Sequence, residues 1–304
     1  MPGNTLGTTN GLIVAQRTLD TLLAQFPALS LITTDFSNEV QRFGQQVVTR
    51  VVSPTTASDY DPTNGYVSTP RAVVDVNVTL NHHKHHTYDV NDQERSSTSR
   101  DLIQEWADTA AHALGTAIMN DLTALVTPAN FNLAGQTSVI TAANFNRSAV
   151  VALRTALNKR FVPDVGRFLV LNSDYAGSLA DDTTIVANLY NRDANTITSG
   201  QLPPIHGFEI AEYSALPDNG VNLAGFGGNK EALVIATRLP DKPSADVPLG
   251  GTIDIVTEPH TGLSVQLRQW YNFQLGKEYR TITLMYGMAV NVGAPGRLQL
   301  VTSA

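Results

Sequence analysis

Cysteine is absent from all 304 residues, which excludes disulfides, thiolate nucleophiles and cysteine-ligated metals and suits a protein made in a reducing compartment. Charge is also scarce. Only 15% of residues are charged while 42% are hydrophobic, so Ser, Thr, Asn and Gln must cover much of the surface. Uncharged polar surface is desolvated at lower cost than ions, and this leans toward extensive protein–protein contact. Basic residues are outnumbered, 20 Lys and Arg against 27 Asp and Glu, and the net charge is −7. No Lys/Arg cluster resembles a nucleic-acid-binding arm, so affinity for phosphate backbones should be poor. No apolar run approaches the roughly 18 residues that span a bilayer, and the first residues lack the basic-then-apolar pattern of a signal peptide. A soluble chain with no membrane partner is expected.

What is present reads as a mixture of helices and strands. Leu12 to Phe26 carries Leu19, Leu22 and Leu23 at helical spacing and ends at Pro27. Residues 28–43 hold apolar side chains without a clean period, enough to dock on something but too irregular to fold alone. Gln46 to Ser53 and Arg71 to Asn81 are β runs, the second alternating Ala72, Val74, Val76, Val78 and Leu80 with mostly polar residues. The Asp-, Pro-, Thr- and Gly-rich connection between them predicts a long hairpin with a polar tip. A two-stranded ribbon is marginal alone in water, so its apolar face is expected to meet another subunit.

Thr98 to Asp101 fits a capping box, and an apolar stripe from Leu102 through Trp106 and Leu114 to Leu125 predicts a rod of about 40 Å ending at Pro128. Gly115 in its middle suggests close approach of another backbone. Asn144 to Phe161 is a second amphipathic helix with Val150, Leu153, Leu157 and Phe161 on one side. Arg167 to Leu171 is a short strand followed by a turn at Asn172–Asp174. Short elements between Gly and Pro continue to about Val256, and Val265–Phe273 and Arg280–Val290 are long strands joined through Gly276. No internal repeat is evident.

Several motifs invite a chemical reading. His82, His83, His85 and His86 surround Lys84, and imidazole suits zinc, copper or nickel. On a strand, however, His82, Lys84 and His86 face one way and His83 and His85 the other, with Asp89 the nearest carboxylate. Gly225 to Lys230 lacks the spacing of a phosphate loop and reads as a turn before a strand. Asp181–Asp182 reads as a helix N-terminus before it reads as a catalytic pair. With no nucleophile elbow either, no catalytic residue, cofactor or metal site is assigned.

The order of elements resembles the major capsid protein family of tailed bacteriophages, the Hong Kong 97-type fold shared with encapsulins. Asp35–Val40 followed by Phe43–Gly44 and a β run is similar to the family's passage from arm to loop. Val76–Leu80 with His82–Asp92 resembles the strand returning to the spine helix. Gly225–Arg238 resembles the axial-domain segment, and Trp270–Asn272 with Tyr286–Gly287 the closing strands. The resemblance implies an α+β fold with an N-terminal arm (1–45), an extended loop (46–95), a spine helix and the start of a peripheral domain (96–140), an axial domain (141–256) and peripheral return strands (257–304). It implies a non-enzymatic coat protein of the virion, synthesised and assembled in the host cytoplasm. Copies of itself would form the hexamers and pentamers of an icosahedral head enclosing double-stranded DNA without sequence-specific binding. A separate scaffolding protein and a portal are the further partners implied, together with decoration proteins in some members. Arg50, Asp59, Asp61 and Arg71, near the hairpin, are the candidate assembly contacts. An encapsulin-like compartment and a His-cluster metal enzyme are the alternatives.

Overall fold

The computed structural model describes residues 7–31, 33–35, 46–52, 57, 59–63, 65–66, 73–97, 102–182, 202–241, 251–257, 264–292 and 295–303. Its helices are α1 (Gly7–Gln25), α2 (Asp92–Ser97), α3 (Leu102–Thr123), α4 (Arg147–Lys159) and α5 (Ser173–Ala180). Among the described residues the strands are β1 (Thr33–Asp35), β2 (Gln46–Val52), β3 (Val73–Thr79), β4 (His82–Asn91), β5 (Thr137–Val139), β6 (Arg167–Leu171), β7 (Phe208–Glu212), β8 (Leu223–Asn229), β9 (Leu233–Arg238), β10 (Gly251–Thr257), β11 (Ser264–Asn272), β12 (Lys277–Val290) and β13 (Leu298–Thr302). The strands make two sheets and one ribbon. The first sheet runs β1-β9-β12-β11-β10 with β4 on the other edge of β12, and the second runs β5-β13-β8-β6-β7. The ribbon is β2 paired antiparallel with β3.

Strand periodicity decides which core each face of the first sheet joins. Ile282, Leu284 and Tyr286 alternate on β12 and bury with Leu267, Ile235 and the apolar stripes of α1 and α3. The intervening face of the same strands offers Val234, Ala236 and Ala289, and there Val76, Val78 and Leu80 of the ribbon pack, each no more than 1% exposed. This corrects the expectation for the ribbon. The root of its apolar face is buried on its own chain, because the small side chains of β9 and β12 leave room for it. A Cβ at Gly287 would collide with the backbone oxygen of Thr79, so glycine is what lets the ribbon lie this close.

The N-terminal helix is likewise no free arm. Ala15, Leu19, Leu22 and Phe26 are buried in the main core against α3, and Arg17 holds Asp108 of α3 by two hydrogen bonds of 3.0 and 2.8 Å. The supposedly irregular stretch after it continues as a 3-10 turn, Pro27–Leu31, that buries Ala28, Leu29 and Leu31, and as β1, which pairs parallel with β9. Gly115 is explained by a side chain where a backbone was expected: a Cβ there would run into the Phe26 ring.

The long helix spans 22 residues, about 33 Å at 1.5 Å per residue, and its expected cap at Thr98–Asp101 lies outside the described residues. So do the side chains of Ile103 and Trp106. A distant loop reaches its end, where Asn219 Nδ2 donates to the last helical carbonyl, Thr123 O, at 2.9 Å and to Val126 O just beyond it at 2.7 Å.

The second sheet separates two cores. Phe168, Val170 and Phe226 face the main one, while Leu169 and Leu171 meet Val150, Leu153 and Leu157 of α4 and Tyr175 of α5. Helix α4 is shorter than expected, capped by Asn146, whose side chain accepts from the N–H groups of Ser148 and Ala149. Phe161 lies beyond it with φ of 58° and is 94% exposed, so it leaves the apolar face that the spacing gave it. Asn172–Asp174 is the cap and first turn of α5. The glycines at 225, 227 and 228 form the buried strand β8, correcting the expected turn. A Cβ at Gly225 would lie 2.7 Å from Val170 O, so small residues are what let β8 sit between its neighbours. Strands β9 and β10 thus belong with β11 and β12, and β13 belongs with β6 and β8.

Candidate functional site

Of the four residues marked near the hairpin, two have described side chains. Arg50 lies on the ribbon shaft in register with Asp75, its side chain outside the described residues, and Arg71 is outside them entirely. Asp59 and Asp61 are at the tip. There Gly65 N–H donates to Asp61 O at 2.7 Å and Thr63 N–H to Asp61 Oδ1 at 2.8 Å, an Asx turn that ties the two arms together. Asp59 is exposed. Two residues that the sequence reading passed over stand beside them. Tyr60 and Tyr66 set their rings 5.0 Å apart at a tilt of 50° and are 59% and 94% exposed. Their signal was two tyrosines within an otherwise Asp-, Thr- and Pro-rich loop.

The histidine run takes the alternation expected of a strand. His82 and Lys84 point toward α3, with His82 Nδ1 3.2 Å and Lys84 Nζ 3.4 Å from Asp121 Oδ2. The same oxygen accepts from Tyr286 OH at 2.6 Å, and His82 stacks on the Tyr286 ring. Burial, then the hydrogen bond to Asp121, pushes the Tyr286 phenol far above its ordinary range. His83 faces the other side, 2.9 Å from Thr283 Oγ1, where burial first and the Arg268 charge second hold it below the usual histidine value. The nearest carboxylate is therefore Asp121 and not Asp89, which pairs with Lys277 at 2.5 Å. Among the described residues, no three His, Cys, Asp or Glu side chains gather in a metal-holding group. The arrangement pins β4 and β12 to the long helix.

Asp181 ends α5 as its C-cap, and Asp182 Oδ2 accepts from Arg147 N–H at 2.8 Å at the start of α4. Asp181 thus closes a helix where the sequence reading expected it to open one. Between the C-terminal end of α1, α3 and β7 lies an open cleft of about 890 Å³ lined by Phe26, Pro27, His112, Thr116, Ala211 and Tyr213. Its ionisable groups are dispersed: His112 Nδ1 lies 3.2 Å from Gln25 Oε1, and Tyr213 OH donates to Asn120 at 2.8 Å.

A second exposed feature lies on α4. Arg147, Val151 and Arg154 follow one another along one helix face, with His206 beside them. Burial, then the charges of Arg147 and Arg154, holds His206 below its ordinary value.

No family model matches the sequence, and no curated protein is detectably similar to it. Solved structures are. The chain is similar to the capsid structure of the cyanophage P-SCSP1u, with a TM-score of 0.60 and 13% identity over 90% of this chain and 86% of that one. It is similar to a structure from Mycobacterium phage Che8, TM-score 0.57 and 16% identity over 89% of each chain. The asymmetric unit of the bacteriophage PhiM1 mature capsid matches with TM-score 0.54 and 12% identity over 90% and 86%. The chain therefore has the fold of phage capsid subunits.

Proposed function

We propose that this chain is the major capsid protein of a tailed phage, a coat subunit that assembles with copies of itself into the hexamers and pentamers of an icosahedral head. Likeness to phage capsid structures over nearly the whole chain is the observation that carries this reading. In it, α3 is the spine, the β2–β3 ribbon the extended loop, the first sheet the peripheral domain, and the second sheet with α4 and α5 the axial domain. The linear boundaries at 141 and 256 then give way to a partition by sheet, with β9 and β10 peripheral and β13 axial. The work of such a subunit is mechanical. Many modest interfaces sum under closed symmetry into a shell that no single contact would hold.

The acidic charge bears on how such a head is filled. A subunit with net charge −7 gains nothing from phosphate neutralisation, so the reading assigns DNA entry to a separate motor and shell assembly to a scaffolding protein. A portal and decoration proteins complete the proposed partners, and the virion is the proposed location. Among the described residues no helix is long and apolar enough to cross a membrane. Electron microscopy of the chain expressed with its scaffold tests the reading: closed isometric shells are expected, and a lasting monomer would overturn it. Soluble subunits should also show little retention on duplex DNA at physiological salt, whereas tight, salt-sensitive retention contradicts the proposed division of labour.

A further inference from the structure

The sequence holds one His-x-His, formed by His83, Lys84 and His85, and the fold sets it on β4. Alternation turns His83 and His85 to the same, exposed face, about 7 Å apart along the strand. His82 and His86 take the opposite face and lie about 13 Å from each other, too far to share an ion. Lys84 Nζ already holds the Asp121 oxygen that His82 approaches.

The antiparallel register adds a third group. Met285 stands directly opposite His83, and Thr283 opposite His85. Side chains of directly opposed residues share a face, with Cβ atoms about 5 Å apart. The Met285 thioether, a soft metal ligand, therefore belongs to the same face as the two imidazoles.

Hydrogen bonds set the tautomers. Thr283 Oγ1 gives its single proton to Lys84 O at 3.1 Å, so toward His83 Nε2, 2.9 Å away, it can only accept. His83 is therefore protonated at Nε2 and carries its lone pair at Nδ1. His85 Nδ1 lies 3.2 Å from Thr87 Oγ1, which in turn lies 2.8 Å from Thr281 Oγ1. With Thr87 donating to Thr281, His85 donates from Nδ1 and carries its lone pair at Nε2. A hydrogen bond at the second nitrogen is what fixes the orientation of a ligating imidazole.

Charge chooses among metals. The Arg268 guanidinium is close enough to act on His83, and Arg238 is opposite Met285 on the other flank of β12. Cations beside a neutral donor set oppose a dication more strongly than a monocation, and two imidazoles with a thioether suit a soft ion. We infer that His83 Nδ1, His85 Nε2 and the Met285 sulfur bind copper(I), one ion per chain. The site lies within one subunit and does not depend on the shell reading, so free chain and assembled particles should both hold the ion.

Copper(I) presented to the full chain as its bicinchoninate complex in ascorbate tests the site. The chain should withdraw one equivalent. His83→Gln, His85→Gln and Met285→Leu should each weaken binding about tenfold or more, while His82→Gln and His86→Gln should bind like the parent. No withdrawal, or a loss that follows His82 and His86, overturns the inference and leaves the shell reading untouched. Leucine keeps nearly the volume of methionine, and copper K-edge absorption covers a variant that folds poorly. The chain has no cysteine, so a sulfur neighbour of bound copper can come from methionine alone. The parent, Met119→Leu and Met288→Leu should show that neighbour and Met285→Leu should not. Sulfur that persists in Met285→Leu, or copper held by nitrogen alone in the parent, overturns the three-donor site.

Discussion

The two ends of the ribbon differ more than any other neighbouring parts of the molecule. At its root, Val76, Val78 and Leu80 are sealed against the first sheet. At its tip, Tyr66 is almost wholly in solvent and Asp59 has no ion-pair partner among the described residues. One pair of strands is thus anchored at one end and presented at the other. Anchoring fixes the direction in which the tip points, and a partner that receives it meets a group already partly ordered. The same chemistry that makes the root a core makes the tip useless to its own chain.

That contrast can be broken most forcefully at Gly287. Alanine there drives a methyl group into the Thr79 carbonyl, which cannot rotate away, and should cost about 3 kcal/mol. Calorimetry should show a fall of about 5 °C for a chain of this size. Val78→Ala leaves a cavity in the same contact and should cost about 2 kcal/mol. The docking of α1 is a milder case. The Arg17 hydrogen bonds hold the Asp108 carboxyl below its ordinary value of 3.8, and its depressed folded-state value means that the contribution is present above that pH and lost as pH falls through the folded value. Because the pair is exposed, Arg17→Gln should cost only about 0.5 kcal/mol at neutral pH, and the gap between variant and parent in urea melts should close below about pH 3.8. At the tip, Tyr66→Ser should change subunit stability by less than about 0.5 kcal/mol. A large loss there would show that the tip belongs to the subunit's own fold after all.

Periodicity made the long strands and the amphipathic helices legible, since β11, β12 and α4 carry runs long enough for one face to declare itself. It was silent on whose surface each face meets. The leucines at 19 and 22 and the valines at 76 and 78 announce burial, yet nothing in a single sequence separates burial on one's own sheet from burial on a sister chain. The glycines at 225, 227 and 228 misled for a related reason. Their small size reads locally as a turn, and only the neighbouring strands show that it makes room. Phe161 failed the helical stripe because the backbone leaves the helix one residue earlier. At the candidate site, turn chemistry located the tip, but the ring contact of Tyr60 with Tyr66 gave no signal beyond two tyrosines in a polar loop.

The placement of β13 carries a consequence for how the molecule comes into being. Its five residues, Leu298–Thr302, lie between β5 and β8, whose own residues are made far earlier, and Gln136 donates to Leu298 O at 2.7 Å to seal the junction. A ribosome delivers β5, β6, β7 and β8 long before the strand that must slide in among them. Over that interval β8 and β5 are bare edges on a nascent polypeptide, open to any passing strand. Slow elongation between residues 230 and 298 therefore lengthens the time in which the growing chain is most exposed to mispairing, and a chaperone that shelters those edges has its greatest effect there.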